Sequence, residues 1–74
     1  MSIHNLRSLI TAKRNIKDIP KILKSLELAK KDLKPYQYFL HIEIIMENID
    51  EAIEELGYTY LRSKQILEEN GKIG

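Results

Sequence analysis

Pro35 divides this 74-residue sequence into two stretches of helical periodicity, and that division limits the fold more than any other feature. The residue before a proline avoids the helical region, whereas proline itself suits the first turn of a new helix. Lys34-Pro35 therefore predicts a tight turn between Leu33 and Tyr36, with a helical arm on either side.

In the first arm, Leu9, Ala12, Ile16, Ile19, Leu23, Leu26, Ala29 and Leu33 recur at steps of three and four, the spacing of one helix face. Ser2 or Asn5 can cap its start. Pro20 falls inside the pattern, where a proline removes a backbone hydrogen bond and crowds the preceding turn. A kink or break is expected between Lys17 and Pro20, with Asp18 able to cap a second piece. Because the stripe keeps its phase, the two pieces should stay roughly collinear.

The second arm holds the densest apolar run, YFLHIEIIMENIDEAIEEL from Tyr38 to Leu56. At about 100° per residue, Tyr38, Phe39, Ile42, Ile45, Met46, Ile49, Ala52, Ile53 and Leu56 share one broad arc, the expected core face. Leu40 and Ile44 form a second, smaller apolar patch. The stripe continues past Gly57 through Tyr60 and Leu67, and one glycine costs only about 1 kcal/mol inside a helix. One long helix from about Pro35 to Glu69 follows, stopped by Asn70-Gly71.

Arm 1 thus spans about residues 2–33 and arm 2 about residues 35–69, with a loose tail at 70–74, in a single helical domain. The expected fold is all-α, a long antiparallel helical hairpin kinked near Pro20. A compact monomer of three or four shorter helices, broken at Pro20 and Gly57, is the alternative. Folding the arms on Lys34-Pro35 sets Leu26 opposite Ile42, Leu23 opposite Met46, Ile19 opposite Ile49, Ile16 opposite Ile53, Ala12 opposite Gly57 and Leu9 opposite Tyr60. It also brings Lys13, Arg14, Lys17 and Lys21 near Glu47, Glu51, Glu54 and Glu55. That pairing accounts for a sharp charge asymmetry: residues 1–34 carry nine Lys or Arg against three acids, and residues 35–74 carry three against eight.

A hairpin leaves Leu6, Ile10, Leu28, Tyr38, Leu40 and Ile44 partly bare, so a homodimeric four-helix bundle is expected. That layout resembles the dimeric hairpins of the Rop type; the likeness is of layout, with no shared motif and no residues carried over.

Composition narrows the functions. There is no cysteine, which excludes disulfides and thiolate metal sites and suits a reducing compartment. No apolar run approaches the length of a membrane span and the N-terminus lacks a signal-peptide hydrophobic region, so a cytoplasmic protein with no membrane partner is expected. The acidic row Glu43, Glu47, Asp50, Glu51 and Glu54 lacks the Glu-x-x-His motifs of di-metal bundles, and His4 and His41 are the only imidazoles. With no phosphate loop and no serine–histidine pair in register, no catalytic, cofactor-binding or metal-binding residues are expected, no cofactor is implied, and the chain does not read as an enzyme.

Two binding roles remain. The first is a protein–protein interaction module that docks on a larger protein and regulates or scaffolds it, or that dimerises, through Tyr36, Leu40 and Ile44. The other is nucleic-acid binding through Arg14, Lys17, Lys21, Lys24 and Lys31 on the polar face of the basic arm. In addition, NIDEAIEELGYTYLRSKQIL resembles a helix-turn-helix, although its Ala52 to Gly57 spacing is one residue longer than that family's and Arg62 and Lys64 are its only basic residues in the second helix. A continuous or bent helix is the expected outcome there.

Overall fold

The structure, a computed structural model, describes residues 6–73. The proposed caps Ser2 and Asn5, and His4, lie outside the described residues. Helix α1 spans Leu6–Leu33, a short 3-10 turn spans Lys34–Tyr36, and helix α2 spans Leu40–Ile73. The two helices pack against each other as an antiparallel hairpin in a rod of 53 × 16 × 16 Å.

The apolar spacing accounts for both helices. Ala12 and Ile19 are buried, at 2 % and 3 % exposure, and Leu9, Ile16, Leu23, Leu26, Ala29 and Leu33 are half-buried beside them. On α2, Ile42, Met46, Ile49, Ala52, Ile53, Leu56, Tyr60 and Leu67 are half-buried. Pro20 lies inside α1, which continues through it as one element with the proline ring exposed. No second helix starts at Asp18. Gly57 likewise lies inside α2, so the compact three- or four-helix alternative and the helix-turn-helix are both set aside.

Three sequence expectations are corrected. The connection is not a tight turn at Lys34-Pro35, and α2 does not start at Pro35. The chain passes from α1 straight into the 3-10 turn, where the Gln37 N–H donates to the Lys34 carbonyl at 3.1 Å and the Phe39 N–H donates to the Tyr36 carbonyl at 3.0 Å. The Phe39 carbonyl then accepts from the N–H groups of Ile42 and Glu43, which opens α2. Consecutive hydrogen-bonded turns carry the reversal over residues 34–39, so Tyr38 and Phe39 belong to the connection and stand exposed, outside the core stripe.

The second correction is the register. Asn15 meets Ser63, nine residues beyond the Glu54 that the tight turn would place there, and Lys30 pairs with Asp50. Leu33 therefore lies level with Met46 and Glu47. The connection climbs past the end of α1, and the first turns of α2 project beyond it. Ala12 accordingly packs near Ser63 and Ile66, not Gly57, and a Cβ added at Gly57 would meet nothing within 4 Å.

Third, Asn70-Gly71 does not stop α2, which runs on to Ile73 in place of a loose tail. No glycine among the described residues has positive φ, so the left-handed cap that a C-terminal glycine would supply is not formed at Gly71.

Candidate interaction surfaces

The register shift builds an apolar tip on the hairpin. Because the start of α2 overhangs α1, its side chains have no neighbouring helix on which to pack. Tyr36 is 55 % exposed, Tyr38 91 %, Leu40 72 % and Ile44 51 %, with Phe39 and Ile45 also exposed among them. Leu40 and Ile44 lie one turn apart on one helix face, and Tyr36 stands at the end of the 3-10 turn that leads to them. The three residues singled out from sequence thus fall in one segment at one end of the rod. Tyr38, expected on the core arc and yet partly bare, is almost fully exposed, and Phe39, expected in the core, is exposed with it because helical periodicity does not extend through them.

The basic residues are arranged differently. Arg14, Lys17, Lys21, Lys24 and Lys31 are all exposed along α1. The expected pairing of Lys13, Arg14, Lys17 and Lys21 with Glu47, Glu51, Glu54 and Glu55 is not made: none of the four basic groups has an ion pair within 4 Å among the described residues. In the observed register these positions lie level with Gly57, Leu61, Lys64 and Gln65, which offer no carboxylate. The ion pair that does form, Lys30 Nζ to Asp50 Oδ1 at 2.6 Å, is half-exposed on both sides.

Two grooves run along opposite sides of the hairpin. One is lined by Glu27, Lys30, Lys34, Met46, Asp50 and Ile53. The other is lined by Thr11, Ala12, Asn15, Thr59, Ser63 and Ile66. The acids of the row Glu43, Glu47, Asp50, Glu51 and Glu54 are all exposed, and His41 is exposed apart from them. Among the described residues no group of three or more His, Cys, Asp or Glu is placed to hold a metal ion, and no helix is long and apolar enough to cross a membrane.

Comparison with known protein families, with curated proteins and with solved structures finds no match to this chain.

Proposed function

We propose that this chain is a small non-enzymatic protein–protein interaction module of the cytoplasm that docks on a larger protein and regulates or scaffolds it. The observation that carries the reading is the exposed tip: Tyr36, Tyr38, Leu40 and Ile44 are exposed apolar and aromatic side chains in one segment that leads into and opens α2. Aromatic and aliphatic side chains held this way are the anchors that helix-face recognition places in a partner's groove, because their rotamer freedom is already small and their desolvation is large. The cysteine-free composition suits a reducing compartment. The test is affinity capture with the wild type and with Leu40→Asp and Ile44→Asp. Both variants should lose the captured partner while keeping the wild-type helical circular dichroism; a partner retained by both removes the tip from the proposal.

A second reading is nucleic-acid binding through Arg14, Lys17, Lys21, Lys24 and Lys31. It is favoured by one observation, that these groups are exposed and not engaged by the acidic helix. Affinity for a short duplex should then fall steeply with salt and with Lys17→Gln, Lys21→Gln and Lys24→Gln combined. A flat salt response rules the reading out.

A further inference from the structure

The two helices carry two apolar seams each, and the hairpin fills only one pair. Along α1, Ala12, Ile19, Leu26 and Leu33 recur every seven residues, and so do Leu9, Ile16 and Leu23. Along α2, Ile42, Ile49, Leu56 and Ser63 keep the same spacing, and so do Met46, Ile53 and Tyr60. A strict seven-residue repeat on two seams per helix is the pattern of bundles in which each helix packs against two others. Inside the hairpin the first seams meet, burying Ala12, Ile19 and Ser63. The second seams stay half-exposed. Lys30, next in the row of Leu9, Ile16 and Leu23, lines one groove with Met46 and Ile53, so the second seams open on one side of the rod. The opposite side holds the groove of Thr11, Ala12, Asn15, Thr59 and Ile66, which lies off the rows of Leu9, Ile16 and Leu23 and of Met46, Ile53 and Tyr60.

We propose that a second copy of this chain packs on the face of Leu9, Ile16, Leu23, Met46, Ile53 and Tyr60 to form a four-helix bundle with both tips at the same end. The area supports a second copy. The chain exposes 6147 Å², whereas a compact chain of 8.7 kDa exposes about 4,700 Å². The excess of about 1,400 Å² exceeds the roughly 800 Å² per partner that a standard stable interface buries. Lys30, the charged residue in the second seam, is already neutralised by Asp50 of its own chain, so closing the face strands no charge there.

Charge sets the direction. Within Leu6–Leu33 there are eight Lys or Arg and three acids, and within Leu40–Ile73 three Lys or Arg and eight acids, so the helices carry +5 and −5. A twofold axis along the rod sets each α1 beside the other copy's α2, opposite charge against opposite charge. A twofold across the rod sets +5 beside +5 and −5 beside −5, which is repulsive at both contacts. In the favoured arrangement Tyr36, Leu40 and Ile44 stay outside the seam, so the inference does not rest on the docking role and survives its failure.

The test is absolute molar mass by light scattering at low micromolar concentration, with a spin-label distance on the same protein. The wild type should weigh about 17 kDa, twice the single-chain 8.7 kDa. Leu40→Glu should leave that mass unchanged, and Leu23→Glu or Ile53→Glu should halve it. Because either seam variant can also unfold the hairpin, the wild-type measurements decide. A spin label on Tyr38→Cys, unique in a chain without cysteine, should give a pair distance of at most about 30 Å, the width of a four-helix bundle plus label arms. A wild-type mass of 8.7 kDa up to 100-fold higher concentration overturns the proposal, as does dissociation by Leu40→Glu alone. A label distance near the 53 Å rod length overturns the arrangement with both tips together.

Discussion

Asn15 donates a hydrogen bond through Nδ2 to Ser63 Oγ at 3.1 Å, joining two helices across 48 residues of sequence. Ala12, one turn away on α1, and Ser63 itself are both buried, so a small side chain lies beside this polar contact. A part-buried hydrogen bond between neutral groups contributes about 1 kcal/mol net, and leaving one partner unsatisfied costs about as much again. Asn15→Ala and Ser63→Ala should each lower stability by about 1 kcal/mol in urea denaturation. The double variant should cost less than the sum, with a coupling of at least about 0.5 kcal/mol.

Gly57 and Pro20 are helix-disfavouring residues in the interiors of α2 and α1, and both face open space. A Cβ at Gly57 meets nothing within 4 Å and Pro20 is exposed. Gly57→Ala should raise stability by up to about 1 kcal/mol. Pro20→Ala, which restores a donor for the Ile16 carbonyl, should raise it by about 1 to 3 kcal/mol. Thermal denaturation followed at 222 nm checks both; a lower midpoint for either means that the residue makes a contact the exposed geometry does not contain.

Ile19 and Leu40 should separate folding from binding. Ile19 is buried at the centre of the inner seam, so Ile19→Ala should cost about 2 to 5 kcal/mol and lower the melting temperature sharply. Leu40 is mostly exposed, so Leu40→Ala should change stability by no more than about 0.5 kcal/mol. Loss of stability at Leu40 comparable to that at Ile19 would mean that the tip is structural.

Lys30 and Asp50 should contribute little on their own. Their ion pair is half-exposed, where such pairs are worth about 0 to 1 kcal/mol and are screened by salt. At concentrations where the chain is monomeric, Asp50→Asn should therefore lower stability by less than about 1 kcal/mol, and 0.5 M salt should erase most of the difference. A larger, salt-insensitive loss would indicate that Lys30 is buried by a second chain.

Periodicity made the helices legible, and local propensity hid the connection. The three- and four-residue steps from Leu9 to Leu33 and from Ile42 to Leu67 are strong because α1 and α2 pack on each other through the stretches that hold Pro20 and Gly57, so neither residue interrupts its helix. Register depends on where the chain reverses. Tyr36, Gln37, Tyr38 and Phe39 have no glycine or asparagine to mark a turn, and their apolar spacing continues that of α2, so a reversal at Lys34-Pro35 looked complete. The error then reinforced itself: Ala12 opposite Gly57 offered a match of small residues, and the basic and acidic rows matched as well. Ser63, the true counterpart of Ala12, stood in an apolar slot of the stripe and was the signal that could have corrected it. For the tip, Leu40 and Ile44 were readable as a second patch because they lie off the main arc, while the full exposure of Tyr38 was not.

An antiparallel hairpin is also a ruler. Helix α2, at about 1.5 Å per residue, spans about 51 Å, nearly all of the 53 Å rod. Leu6 and Ile73 both sit at the end away from Tyr38, so whatever is joined covalently to either side of the hairpin is held about 50 Å from the tip. A reporter placed there should leave docking undisturbed, and shortening both helices by one seven-residue repeat should bring the two attachments about 10 Å closer without altering either surface.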